Sequence, residues 1–162
     1  MNLEHNGYSF EDAEASFELL LKKAIGKYRK LFDLRGFRVI TEKRGPDEQV
    51  ITEATLKVAV DGVEAFTVAE GDGPVHAIDN ALRLALNRFY GKELAHIKLT
   101  DYKVRVVNTR AGTAAKVRAI IESRDANEVW STIGVSENII EASWQALADS
   151  VEYGLLKHLG DK

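Results

Sequence analysis

A chain of 162 residues, 45% hydrophobic and 29% charged, has enough apolar surface to bury one core, or two small halves that share one, and too much for long disorder. Its net charge of −3 and pI near 5.8 argue against an electrostatic grip on nucleic acid or an anionic membrane, and the absence of cysteine excludes disulfides and thiolate chemistry. No apolar run is long enough to span a bilayer, and the opening MNLEHNGYSF has neither the basic start nor the apolar stretch of a secretion signal, so a cytoplasmic location is expected.

The first predicted element is a helix. Ser9 is placed to cap it with Asp12 three residues on, and Tyr8 and Ala13 sit at the spacing of a hydrophobic staple. Phe10, Ala13, Phe17, Leu20, Leu21, Ala24 and Tyr28 recur at helical spacing and predict its buried face. From Gly36 the period becomes two: Phe37 and Val39 open a strand that Gly45-Pro46-Asp47 ends. Val50, Ala54, Leu56, Val58 and Val60 alternate with Glu53, Thr55 and Lys57, a strand with one wet face. Asp61-Gly62 is a two-residue hairpin signal, so the strand from Val63 to Val68 returns antiparallel. A helix follows the glycine loop, with Val75, Ile78, Leu82, Ala85 and Phe89 as its stripe.

The same order then recurs. Tyr102, Val104 and Val106 alternate, then Val117, Ala119 and Ile121, then Val129 to Ile133 after the turn Asp125-Ala126-Asn127, and a helix runs from beyond Ser136 through Ile140, Trp144, Leu147 and Val151. Val75, Ala77, Ala81 and Leu82 fall opposite Ile140, Ala142, Ala146 and Leu147, a constant offset of 65 residues, and the helix entrances match with a slip of one or two positions. The reading is an α+β protein: a helical segment over 1–33, then two tandem βββα units at about 34–92 and 97–160 within 34–162. The last helix is apolar nearly all round, which predicts cover on more than one side, from a partner chain or from the same chain.

Chemistry-bearing patterns are few. In AEGDGPVHAIDNAL, residues 69 to 82, Asp72 or Gly73 suits a helix cap and Pro74 the first helical position, which explains the loop with no ligand at all. The same loop could instead leave N–H groups open to a carboxylate, with Asp72 beside them to pair an ammonium; a free amino acid has both charges. The element order also fits a double-stranded RNA-binding domain, but such domains place lysines where this chain has Val75, His76, Ala77 and Asp79. His5, His76, His96 and His158 never approach the spacing of a local metal pair, and no phosphate loop or nucleophile elbow is present.

Together AEGDGPVHAIDNAL, DYKVRVV, GTAAKVRAIIES and WSTIGVSENIIEASWQALADSVEYGLLK resemble the C-terminal regulatory domain of the 2-isopropylmalate synthase and citramalate synthase family. The opening GYSFEDAEASFELLLKKAIG resembles the segment ahead of that domain in the citramalate branch. The resemblance implies two βββα units related by a pseudo-twofold, a homodimer, and an end-product amino acid bound near its interface. It also implies that catalysis, the joining of acetyl-CoA to a 2-keto acid, pyruvate in this branch, belongs to a (β/α)8 barrel N-terminal to this chain. That barrel holds a divalent metal; no cofactor and no enzymatic activity are expected of this chain alone. By the same resemblance Gly71, Asp72, Gly73 and Pro74 meet the effector's polar end, Leu99, Asp101 and Tyr102 lie in or beside the pocket, and Val106, Gly112, Thr113, Ala114 and Ala115 contribute to its wall. Isoleucine is the expected effector of the citramalate branch and leucine that of the other. A purely structural dimerisation module is the rival reading.

Overall fold

The computed structural model describes residues 14–24, 30–107 and 115–160. The elements are α1 (Glu14–Ala24), β1 (Asp33–Glu42), β2 (Ile51–Val60), β3 (Val63–Gly71), α2 (Pro74–Leu94), β4 (Lys98–Val107), β5 (Lys116–Arg124), β6 (Val129–Ser136) and α3 (Ile139–Leu159). Two antiparallel meanders result, β1-β2-β3 and β4-β5-β6, so the chain is α+β with two βββα units. Contacts divide it into two compact bodies, Lys30–Leu94 and the remainder. Among the described residues no helix is long and apolar enough to cross a membrane.

In the first body, Ala54, Leu56 and Val58 are buried on one face of β2 while Glu53, Thr55 and Lys57 are half-buried on the other, the alternation expected of a strand with one covered face. Val50, placed in this strand by pattern, lies just outside it and is exposed. The hairpin forms at Asp61 and Gly62, both at positive φ, the conformation that lets a two-residue turn follow the strand twist. Along α2 the buried stripe is Val75, Ile78, Ala81, Leu82, Ala85, Leu86 and Tyr90. Phe89, assigned to that stripe by periodicity, is only half-buried; the helix breaks one residue on, at Tyr90 (φ −133°, ψ 28°), whose hydroxyl donates to the Leu31 carbonyl at 2.9 Å. Thr67 donates to the Ala81 carbonyl at 2.8 Å, tying β3 to the helix.

The second body repeats the plan. Asp33 and Lys98, Glu42 and Val107, Pro74 and Ile139, Leu94 and Leu159 are each 65 positions apart, and the register shift after Leu34 in β1 recurs after Leu99 in β4. The offset holds through the helix entrances, so the slip expected there is absent: Gly71, Asp72, Gly73 and Pro74 correspond to Ser136, Glu137, Asn138 and Ile139. Thr132 donates to the Ala146 carbonyl at 2.6 Å, the counterpart of Thr67 and Ala81. Trp130 donates through its indole to Ser150 at 3.0 Å, and Ser123 meets the Ser150 hydroxyl at 2.6 Å.

Helix α3 packs on β5 and β6 on one side and against α1 on another, so α1 supplies a second cover for this apolar helix. The face α1 uses is not the one the predicted stripe marks. Ala15, Ser16 and Leu19 are buried, whereas Phe17 and Leu21 are exposed; Phe10, Ala13 and Tyr28 lie outside the described residues, as do Ser9, Asp12 and the side chain of Ala24. The cause is a contact distant in sequence: the Ile133 N–H donates to Ser16 Oγ at 2.8 Å, and with the Val135 N–H donating to Gln145 of α3 at 3.0 Å the open edge of β6 is closed.

At the far end of α3, Asp125 is buried in the β5–β6 turn and accepts four bonds: from the N–H groups of Asn127 and Glu128, each at 2.8 Å, from Lys157 at 2.8 Å, and from His158 at 2.9 Å. Lys157 above all, then the two backbone donors and His158, hold its carboxyl well below the usual carboxylate range despite burial. Lys157 also meets Glu128 at 2.6 Å. Burial works against its charged form, and the two carboxylates outweigh that and raise its pKa.

Candidate functional site

Glycine at position 71 is set by close approach. A Cβ there would fall on the backbone of His76 and Ala77 in the first turn of α2, so no larger residue fits. Gly71 and Gly73 are both outside the positive-φ region, and the loop is not a left-handed turn. Gly73 is the capping residue, its carbonyl accepting from the Ala77 N–H at 3.0 Å, and Pro74 follows at the first helical position.

The two duplicated entrances differ in how their amides are satisfied. In α3 the Asn138 side chain accepts from the N–H groups of Ile140 at 2.8 Å and Glu141 at 3.1 Å, a complete N-cap. In α2 the corresponding residue, Gly73, has no side chain, and among the described residues no side chain accepts from the N–H of Val75 or His76. That leaves one helix N-terminus without a side-chain cap and one already closed.

Beside the open entrance lies a cleft of about 750 Å³ lined by Gln49, Val50, Ile51, Glu70, Gly71, Asp72, His76 and Asn80. Asp72 brings a carboxylate to it, and no lysine or arginine is in the lining. His76 Nδ1 stands 3.7 Å from the fully exposed Asp72 carboxylate, and Asn80 donates to the Glu70 carbonyl at 2.9 Å. Val50 and Ile51 add an aliphatic wall. A carboxylate and aliphatic contact thus occur within one opening, beside the start of α2. Deeper in α2, burial raises the pKa of Asp79, opposed by Arg83, whose Nε lies 3.1 Å from both carboxylate oxygens.

Of the predicted site residues, Gly71 and Asp72 line this cleft together and Gly73 and Pro74 form the adjoining helix start. The strand residues lie in the other body. Asp101 and Tyr102 are neighbours in β4 and so point to opposite faces: Tyr102 reaches Ser143 of α3 at 3.0 Å, whereas Asp101 is 3.7 Å from Lys103 on the other face. Leu99 is half-buried, Val106 is 64% exposed, and Ala115 is exposed just ahead of β5; Gly112, Thr113 and Ala114 lie outside the described residues.

Sequence reasoning missed Gln49, Val50, Ile51, Glu70, His76 and Asn80. The signal was present: β2 and β3 pair from Val60 with Val63 to Thr52 with Gly71, so counting outward from Asp61-Gly62 sets the start of β2 beside the loop. His76 and Asn80 follow Asp72 at helical spacing on one face of α2.

Residues 11–155 match the family described as the LeuA allosteric (dimerisation) domain. The chain is 57% identical over 155 residues to an (R)-citramalate synthase of Geobacter sulfurreducens, covering 96% of this chain and 29% of that protein. An (R)-citramalate synthase of Aquifex aeolicus is 52% identical over 155 residues, with coverage of 96% and 29%, and one of Synechocystis sp. 50% over 157 residues, with coverage of 95% and 28%. The chain therefore spans under a third of the length of the curated relatives it matches.

Proposed function

The chain belongs to the LeuA allosteric (dimerisation) domain family, and from that premise we propose that it is the dimerising, effector-sensing part of an (R)-citramalate synthase whose catalytic barrel lies outside this sequence. The effector proposed is a branched-chain amino acid, isoleucine before leucine. Binding would favour one arrangement of the paired domains and bias the attached barrels, which condense acetyl-CoA with pyruvate, toward a less active state; such couplings are typically about 1–3 kcal/mol.

The observation that carries this reading is the contrast between the two entrances. Asn138 caps α3 from within, while α2 presents uncapped amides beside Asp72, Glu70, Val50 and Ile51. A carboxylate would complete the cap, an ammonium would meet Asp72, and an aliphatic side chain would lie on Val50 and Ile51. Tyr102, Leu99, Asp101, Val106 and the 112–115 segment are retained as candidates for the rest of the pocket on the family resemblance alone.

The test is calorimetric titration of the chain with isoleucine, leucine and valine, repeated on Asp72→Ala. Isoleucine binding with one site per chain is expected. Because Asp72 is fully exposed, the substitution should weaken binding only about two- to fivefold. Preference for leucine would move the chain to the 2-isopropylmalate branch. No binding by a stable dimer would leave the purely structural role.

A further inference from the structure

We infer that the outer face of the β1-β2-β3 sheet, the face turned away from α2, is the contact surface between two copies of this chain. The inference rests on the family reading for dimerisation itself and goes beyond it in locating the contact. Strand register defines the face. Cross-strand rows turned away from α2 are Ile40-Glu53-Glu70, then Arg38-Thr55-Val68, then Gly36-Lys57-Phe66. Phe66 is 64% exposed, Val68 48% and Ile40 43%, and Lys57 lies over the Phe66 ring at 5.7 Å. Three large apolar side chains on one flat sheet face exceed the scatter of single apolar residues that soluble surfaces normally carry.

The internal duplication supplies the second observation. Val68 corresponds to Ile133 and Thr55 to Ile120 at the 65-residue offset, and those two are buried to 1% and 8% exposure with Val135 packed on them. Val68, at the equivalent place in β3, is 48% exposed instead. One repeat therefore shows what this sheet face looks like when covered, and the other shows it bare.

Charge decides for a second copy over an unrelated partner. A twofold contact is isologous, so the same patch must carry both members of every complementary pair. This one does: Glu53 and Glu70 stand one row from Arg38 and two rows from Lys57. A partner of a single charge sign would meet repulsion on half of the face.

The experiment is sedimentation equilibrium of the chain, compared with Phe66→Lys and Val68→Lys, and with Leu84→Lys as control, since Leu84 is 57% exposed on α2. A wild-type dimer whose dissociation constant rises at least about thirtyfold in Phe66→Lys and Val68→Lys, but not in Leu84→Lys, supports the inference. Val68→Thr keeps the β-branched shape and guards against a folding defect; with unchanged far-ultraviolet circular dichroism it should weaken the dimer in the same direction. A dimer indifferent to residues 66 and 68 overturns the location and leaves the family reading standing. A wild-type monomer at all concentrations overturns both.

Discussion

Replacing Asp125 isolates what a single buried carboxylate does for this fold. Its side chain is 1% exposed and accepts four donors, joining the β5–β6 turn to the end of α3. In Asp125→Ala the N–H groups of Asn127 and Glu128 lose a charged acceptor, each such bond contributing about 1.5–3 kcal/mol. Lys157 keeps Glu128 at 2.6 Å, and His158, 24% exposed, can turn to water, so neither is left buried and alone. The expected cost is about 3–5 kcal/mol, a large share of a small domain's stability. Asp125→Asn retains an oxygen for the two turn amides but puts an amide donor where Oδ2 accepted from Lys157 and His158, so about 1–3 kcal/mol is expected. Urea denaturation at neutral pH and one fixed chain concentration measures both, since dimerisation makes stability concentration-dependent. The pH dependence has a definite sign. Asp125's folded pKa is depressed, so its stabilisation is complete above the unfolded value near 4 and is lost as pH falls below it; the gap between wild type and Asp125→Asn should narrow in acid. A cost under about 1 kcal/mol for Asp125→Ala, or a gap that widens in acid, would refute the reasoning.

Gly71→Ala should cost about 1–3 kcal/mol or displace α2, because its Cβ falls on helix backbone, while Gly73→Ala, with open space around it, should be within about 0.5 kcal/mol of wild type by thermal melting. Gly73→Asn copies the Asn138 cap of the second repeat; it should raise stability by a few tenths of a kcal/mol and weaken effector binding in titration, and unchanged affinity would disconnect the α2 amides from the ligand. Asp79→Asn should shift stability by less than about 1 kcal/mol at neutral pH, because burial penalises the carboxylate that Arg83 attracts. Its folded pKa is raised, so wild type should gain on this variant as pH falls and lose ground as pH rises, opposite to Asp125.

Local pattern carried the repeat. Alternation along β2, the Asp61-Gly62 turn and the 65-residue spacing are properties of neighbouring residues, and the structure keeps each of them. Where the pattern misled, a distant contact intervened. Periodicity pointed α1 inward through Phe17 and Leu21; the helix instead turns in Ala15, Ser16 and Leu19, the first two small enough to approach β6 and close its edge. The break of α2 at Tyr90, whose hydroxyl is held by Leu31, 59 residues away, likewise left no signal in the local pattern.

The candidate site divides the same way. The sequence by itself determined that a glycine-proline entrance with an acid beside it begins α2, since capping preferences act over one helical turn. Only the tertiary structure decided that Gly71 is glycine because a helix backbone rests on it, that Gln49, Val50 and Ile51 stand beside Asp72, and that one entrance is closed by Asn138 while its twin is open. Those depend on how closely a helix approaches a strand far from it in the chain, and spacing along a sequence carries no measure of that distance.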